Sequence, residues 1–462
     1  MSNRKKKGQM MEEAPVVTQQ GPSSHEPSRW KPLQYALSLS FDSTSSNTYN
    51  GSLSLSIECV EEVKSFVLDF YTIEGKIIEV SAIQNKLKPT AKCHELPGGR
   101  QIQINLQEAI KPGRAVLNFR FRGTIRTDGL GLYKSQSTSA WTLLCTHFEP
   151  NFASLCFPCI DDASARASFI LSIQVPPDMT VHAGMPLKHS PSTKNELLSF
   201  EFEESPRIPP YLFAFAVGRF IVVEATFSSV CENTLSPLGG EISTNIPIRA
   251  MVSIDHYNEK MRRDILDRLI IAGSQSLHAC EKFLGIPFWL PKIDLLALPV
   301  MLLAGMENVG LCFLHVKEEG DPSEALSSAE TDVLHEIAHQ WVGNLVGMSL
   351  RVKEGIVQYI EKQLSEKLFG SQKKSSGRKK AGQVKSMTNK KTQGNSTESQ
   401  LQRDFCKELN EEFYQKSLKA VETAVDVMGE KTFQTRLASV LNEYALSYLP
   451  DEVAHERILR LP

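Results

Sequence analysis

The chain has 462 residues, of which 41% are hydrophobic and 23% are charged, and its formal net charge at pH 7 is −2. This length is enough for two or three domains with sizeable cores, and the composition is typical of a soluble globular protein. The near-zero net charge gives no global reason to expect nucleic-acid binding, and no run of about 18 apolar residues predicts a membrane span.

The cysteines and the N-terminus bear on the cellular compartment. Nine cysteines are scattered along the chain, and their odd number predicts reduced thiols rather than a disulfide framework. Cys156 and Cys159 form a lone C-x-x-C, which we interpret as two buried thiols beside a turn rather than as a redox pair. The charged N-terminus is not followed by the apolar region of a secretory signal. These features predict a cytoplasmic protein.

The first half of the chain predicts β structure. Residues 1–29 are polar and are expected to form a disordered tail. Apolar and polar residues then alternate, as they do in half-buried antiparallel strands. The alternating segments are 35–41, 51–57, 101–106 and 115–121, and further β-like runs lie at 168–175 and 211–217. The close spacing predicts a sandwich-like β domain over residues 30–220.

Residues 221–370 mix the two periodicities and predict a second domain. Residues 247–252 and 292–299 have the composition of strands. Between them, residues 258–284 show helical periodicity that Gly285 ends, and a later helix is predicted over 352–369. A β region followed by this mixture indicates the α+β class.

A basic segment interrupts the last part of the chain. Residues 371–400 contain eight Lys or Arg among small polar residues, with Glu398 the only acidic residue. This composition predicts a flexible loop. Binding of RNA or an acidic partner is the weaker alternative, because the segment has no aromatic residue to stack on a base. Helical periodicity resumes over residues 401–462, which we assign to the second domain.

The chemistry is concentrated in residues 331–355. His335-Glu336-Ile-Ala-His339 has the H-E-x-x-H pattern, which puts both imidazoles on one helix face, within reach of one metal ion. Glu336 would then lie where it can take a proton from metal-bound water. Ser327 and Glu330 predict a capping box at the start of this helix. Five residues alone are also compatible with an ordinary amphipathic helix that carries two histidines.

A catalytic zinc site needs three protein ligands and one open position. Glu354, which follows His339 with 14 residues between, is the natural third ligand. We expect about two further helical turns after His339, roughly 11 Å at 1.5 Å per residue. A turn at residues 343–347 then brings the chain back along a second helix.

Several separate motifs resemble the zinc aminopeptidases of the aminopeptidase N and puromycin-sensitive type. Residues 335–346 and Lys353-Glu354-Gly355 are similar to the family pattern of H-E-x-x-H followed by N-E-G. Residues 304–308, Ala-Gly-Met-Glu-Asn, resemble its G-x-M-E-N motif. Further similar segments are 146–150, 157–162 and 211–218, so that the likeness covers residues 30 to 370, with a weaker match near 413–446. The resemblance implies a thermolysin-like zinc peptidase domain behind the β domain.

The resemblance also implies a role for each matched residue. His335, His339 and Glu354 would hold one Zn²⁺ per chain, and Glu336 would be the general base. The substrate is expected to be a peptide with a free N-terminus. The implied substrate-binding residues are Glu149, Ala304, Gly305, Met306, Glu307 and Asn308, and Tyr414 would hydrogen-bond the oxyanion. Of these, Glu307 and Glu149 would hold the α-ammonium, which implies hydrolysis of the first residue.

The sequence departs from the family pattern after His339. The family usually has 18 residues before the third ligand, whereas this chain has 14. The shorter return predicts either a displaced Glu354 or weaker support of the metal ligands. The leading function is therefore a zinc aminopeptidase. The alternative is a relative of low or no activity that binds the N-termini of peptides or nascent chains.

Overall fold

The computed structural model describes residues 29–85, 87–135, 141–194, 196–231, 243–318, 321–370 and 400–460. The predicted tail and the predicted basic loop fall outside these residues, except at Arg29 and Gln400. Among the described residues, no helix is long and apolar enough to cross a membrane.

Strands dominate the chain as far as residue 218. They are β1 (Trp30–Ser40), β2 (Thr48–Cys59), β3 (Val63–Asp69), β4 (Gly75–Ile83), β5 (Ala91–Glu95), β6 (Gln101–Ile110), β7 (Gly113–Thr124), β8 (Gly131–Lys134), β9 (Leu143–His147), β10 (Ser168–Val175), β11 (Thr180–Ala183), β12 (Ser192–Lys194), β13 (Leu197–Glu201) and β14 (Phe215–Gly218). The alternation predicted for β2 is confirmed by its burial, since Leu53, Leu55 and Ile57 are all buried on one face.

These strands form three sheets. One has seven strands in the order β12-β13-β10-β1-β2-β7-β4, one has the order β11-β14-β9-β8, and the third has the order β3-β6-β5. The expectation of antiparallel pairing is wrong at one place, because β1 pairs with β10 in parallel. Alternation reports which side chains are buried and carries no information on strand direction.

The expected strand over 211–217 begins later than predicted. A 3₁₀ turn occupies Pro210–Leu212, and strand pairing starts only at Phe215. Pro209 and Pro210 explain the delay, because proline fixes its φ and has no N–H to donate to a ladder.

The second part of the chain combines a mixed sheet with helices. Its elements are β15 (Phe220–Ser228), β16 (Asn245–Ser253), α1 (Glu259–Leu284), β17 (Ile293–Leu298), β18 (Gly305–Met306), β19 (Leu311–His315), α2 (Pro322–His339), α3 (Leu350–Phe369), α4 (Gln400–Glu408), α5 (Glu411–Met428), α6 (Glu430–Glu443) and α7 (Asp451–Ala454), followed by a π turn at His455–Leu459. The sheet order is β15-β16-β17-β19-β18, with β16, β17 and β19 parallel. The α+β class is confirmed.

The helix ends show which local sequence signals were sufficient to locate a helix boundary. Asn258 caps α1 by accepting a hydrogen bond from the Met261 N–H at 2.9 Å, and Gly285 ends the helix at a φ of 66°. The predicted capping box at Ser327 is wrong, because α2 already begins at Pro322 with Asp321 as its cap. An Asp cap followed by proline is itself a strong start signal.

Arg166 joins the β-rich part to the second part. Its side chain is 4% exposed and donates hydrogen bonds to the carbonyl oxygens of Asn344, Arg207 (3.1 Å) and Ser447 (3.4 Å). We expect Arg166→Met to lower the free energy of unfolding by about 2 kcal/mol or more, because buried carbonyls lose their donors. Urea denaturation of the purified chain measures this difference.

Arg207→Met is the matched control. Arg207 is exposed and donates to the Arg166 carbonyl oxygen at 2.9 Å, so its loss is expected to cost less. An equal or larger loss of stability at Arg207 would contradict the role given to Arg166.

Candidate metal centre

Helix α2 carries both histidines of the H-E-x-x-H pattern at its C-terminal end. Its apolar face is buried, since Val333, Leu334, Ile337, Ala338, Trp341 and Val342 are all 0% exposed. Burial of this face against the core fixes the rotation of the helix. His335 and His339 are each 1% exposed, and both lie on the face that meets α3.

The path from His339 to Glu354 differs from the one expected. The helix ends at His339 and does not continue for two further turns. The chain reverses at Gly343, whose φ is 106° and whose N–H donates to the Val346 carbonyl oxygen at 3.0 Å. Helix α3 then starts at Leu350, so that Glu354 lies in its second turn. Because no helix extends outward, 14 residues are enough for the return.

Three side chains converge at this point. The Nε2 atoms of His335 and His339 are 3.0 Å apart, and the two carboxylate oxygens of Glu354 lie 3.5 Å and 3.4 Å from them, respectively. Ligand atoms about 2.0–2.1 Å from a tetrahedral zinc ion lie roughly 3.3 Å from one another. The three donors therefore have the spacing of ligands to one zinc ion, and Glu354 reaches both histidines despite the shorter return.

The other ring nitrogen of each histidine has a partner. The Nδ1 of His335 lies 2.8 Å from Oε2 of Glu361, and the Nδ1 of His339 lies 3.1 Å from the Val342 carbonyl oxygen. Such contacts orient metal-binding imidazoles and leave Nε2 free to act as the ligand. Sequence reasoning missed Glu361. Its spacing of seven residues from Glu354 on one helix could have indicated a shared face.

We expect Glu361→Gln to weaken zinc binding about 10–100-fold, as loss of such an orienting carboxylate does elsewhere. Competition with a fluorescent zinc chelator measures the dissociation constant. Glu366→Gln is the control, since Glu366 is exposed on the same helix. Equal affinities in the two variants would contradict an orienting role for Glu361.

Glu336 is packed against the backbone of the edge strand β18. A Cβ added at Gly305 would lie 2.3 Å from Glu336 Oε1, so only glycine allows this close approach. Glu336 is 1% exposed, and one of its oxygens lies within 4.8 Å of ligand atoms of Glu307 and His339. In the part of the chain that the structure describes, strand β18 pairs with β19 alone and ends the sheet order. Edge strands are the places where proteins can add an extended peptide to a sheet.

The segment after β18 is held by two side-chain amides from residues 340–344, which follow α2. Gln340 Nε2 and Asn344 Nδ2 donate to the Glu307 carbonyl oxygen at 2.9 Å and 2.7 Å. Asn308 is 1% exposed, yet neither polar atom of its side-chain amide has a hydrogen-bond partner among the described residues. A buried unpaired amide is uncommon and is often completed by a ligand or water.

A third charged group lies beside the metal ligands. Lys353 is 2% exposed, and its ammonium makes ion pairs with both Glu149 and Glu307. The same Nζ lies 5.0 Å from the centre of the Tyr211 ring. The sequence prediction missed Lys353, although its position corresponds to Asn in the N-E-G pattern and could have drawn attention.

The charges in this cluster shift the pKa values of Glu149 and Glu307 in opposite directions. Burial and the charge of Glu307 raise the pKa of Glu149 to about 7, against the opposing effect of Lys353. Burial also favours the neutral form of Glu307, but Lys353 and His339 outweigh it and lower the pKa of Glu307 to about 2. Two carboxylates that share one buried site commonly titrate apart in this way.

Tyr414 lies on α5 and is 7% exposed. It belongs to a small apolar cluster with Phe152, Leu302 and Phe405. Helix α5 crosses α3 closely, since a Cβ added at Gly355 would lie 2.4 Å from the Ser417 carbonyl oxygen. Tyr414 is thus one helical turn before the crossing, next to the helix that carries Glu354, and its catalytic role stays a prediction.

Comparison with protein families gives two matches in succession. The family model described as the peptidase M1 N-terminal domain matches residues 31–212, and the model described as the peptidase family M1 domain matches residues 271–452. Together they cover both the β-rich part and the part that holds the candidate metal centre.

Curated proteins with significant similarity include several aminopeptidases. Aminopeptidase M1 of Arabidopsis thaliana is 26% identical over 73% of this chain and 38% of its own length. Aminopeptidase M1-D of Oryza sativa subsp. japonica is 31% identical over 51% of this chain and 25% of its own length. Puromycin-sensitive aminopeptidase of Caenorhabditis elegans is 28% identical over 56% of this chain and 27% of its own length. The chain thus spans well under half of each relative.

Proposed function

The chain belongs to the M1 peptidase family, and on that premise we propose that it is a zinc-dependent aminopeptidase that removes the N-terminal residue of peptides. The observation that carries the proposal is the convergence of His335, His339 and Glu354 beside Glu336. Family membership supports the reaction class, and the donor set supports the metal.

Each residue near the proposed metal site has a separate role in peptide hydrolysis. His335, His339 and Glu354 would hold a zinc ion, which when bound would supply Lewis-acid activation of water and of the peptide carbonyl group. The Glu336 carboxylate accepts the proton of the attacking water and returns a proton to the leaving amine. The phenol of Tyr414 donates a hydrogen bond to the developing oxyanion, a role that its position near α3 supports.

The substrate is proposed to bind as an extended strand along β18. The outer edge of the sheet at Ala304, Gly305 and Met306 offers backbone groups that can pair with a peptide, and the unpaired amide of Asn308 supports a further contact there. Glu149 and Glu307 form an acidic end to this groove, to which an N-terminal ammonium is attracted. Binding of the first residue at that end would restrict cleavage to the first peptide bond.

We also propose a reducing compartment, such as the cytoplasm. Support comes from Cys59, Cys93, Cys145, Cys156, Cys159, Cys231, Cys280 and Cys312, all of which carry free thiols.

The proposal is tested with the full chain and a fluorogenic aminoacyl-coumarin. The expected result is one equivalent of bound zinc and release of coumarin that stops on chelation and returns with added zinc. Bound zinc without turnover of any aminoacyl substrate would overturn the enzymatic proposal and favour peptide binding alone.

A further inference from the structure

Lys353 is an internal ammonium in an ammonium-binding site. Its Nζ is ion-paired to Glu149, which follows β9, and to Glu307, which follows β18. The ring of Tyr211 lies beneath it, with its centre 5.0 Å away. Two carboxylates and an aromatic face are the groups that recognise a primary ammonium in proteins.

The α-ammonium of a peptide and the ε-ammonium of lysine offer the same three N–H donors. A cluster that holds one of them can therefore hold the other, but like charges repel strongly when both are desolvated. A peptide N-terminus that approaches Glu149 and Glu307 must displace Lys353 or remain beside it. Either course costs binding free energy that a site without the lysine would not lose.

We propose that Lys353 is a specificity-determining residue that occupies the Glu149–Glu307 pair from within the chain and reduces selection for a free α-ammonium. This inference rests on the proposed function, in which the same two carboxylates face the first residue of the peptide. Peptides with an uncharged N-terminus, such as N-acylated peptides, are not attracted by the two carboxylates, so Lys353 does not weaken their binding in this way. The preference of the site for a free over an acylated N-terminus is consequently smaller than it would be without Lys353.

The burial of Lys353 and its two partners indicates that the ammonium is a fixed part of the site and not a transient surface ion pair. Lys353, Glu149 and Glu307 are 2%, 5% and 3% exposed. Removal of one member of a buried charge pair leaves the others without a partner, so the vacated site gains affinity for a new cation. The neighbouring Glu354 is the next residue on the same helix, and its Oε1 lies 3.4 Å from His339 Nε2, among the proposed metal donors.

Binding of leucinamide and of N-acetyl-leucinamide to the zinc-loaded chain tests the proposal by calorimetry, without any need for turnover. Lys353→Met keeps the aliphatic length and removes the charge. We expect leucinamide to bind this variant at least about tenfold more tightly than the wild type, with less than about a twofold change for the acetylated probe. Lys353→Arg keeps a cation and is expected to retain the wild-type ratio. An unchanged ratio in Lys353→Met would overturn the proposal.

A second measurement remains informative where Lys353→Met is too unstable to purify. In Lys353→Ala, added n-butylammonium replaces the missing side chain, so it is expected to raise the thermal midpoint of this variant and not of the wild type. Neutral n-butanol is the control. Equal shifts with the two additives would contradict a cation site.

The outcomes also separate this inference from the proposed function. A changed leucinamide ratio without hydrolysis of any substrate supports the role of Lys353 and rejects the aminopeptidase. Hydrolysis with an unchanged ratio supports the aminopeptidase and rejects the role of Lys353.

Discussion

Replacement of Glu336 by glutamine is expected to lower kcat for aminoacyl-coumarin about 10²–10⁴-fold, which is the usual contribution of a general base. The amide has the shape of the carboxylate but cannot accept the proton of the attacking water. Gly305 lies against this side chain, and glutamine avoids a new clash because it adds no heavy atom. Zinc content is expected to stay near one equivalent, because the three converging donors are unchanged.

Two measurements on each variant distinguish loss of chemistry from loss of metal. Steady-state kinetics gives kcat and KM, and elemental analysis gives bound zinc. Glu324→Gln is the matched control, since Glu324 is an exposed residue in the first turn of the same helix. A Glu336→Gln variant that keeps its zinc and more than a tenth of wild-type kcat would show that another group takes the proton.

The fold was predictable wherever a local signal determines the structure. Alternation located most long strands, and Asn258 with Gly285 located both ends of α1. The parallel partnership of β1 with β10 joins residues about 130 positions apart, and no local pattern encodes it. The helical periodicity that resumes at residue 401 runs across a break between α4 and α5, where Asn410 caps α5 by accepting from the Phe413 N–H at 2.9 Å. Helical periodicity alone did not reveal this break.

The metal ligands of the candidate site could be predicted from the sequence, but the charged residues that pair with the site could not. His335, His339 and Glu354 lie within twenty residues and can be read as one motif. Lys353 pairs with Glu149, 204 residues away, and this contact follows only from the tertiary fold. Glu361 was missed for a related reason, since a glutamate on a helix is usually a solvated residue unless a partner such as His335 faces it.

Glu354 tests whether the shortened return still supplies a metal ligand. We expect Glu354→Gln to weaken zinc binding more than the about 10–100-fold expected for loss of an orienting contact, because it removes a charged donor from the metal itself. Zinc at 100 times the dissociation constant stabilises a folded chain by about 2.7 kcal/mol, and this increment is expected to disappear in the variant at the same zinc concentration. Thermal unfolding with and without zinc measures it.

The graded series makes the test specific. Glu366→Gln, Glu361→Gln and Glu354→Gln lie on one helix and replace the same functional group, so their zinc affinities should fall in that order if contact with the metal determines the loss. The described residues contain a second group of possible donors, formed by Glu307, Glu336 and His339. If Glu354→Gln kept the wild-type zinc affinity, that second group would be the metal site. Glu336 would then be a metal ligand and could not act as the general base.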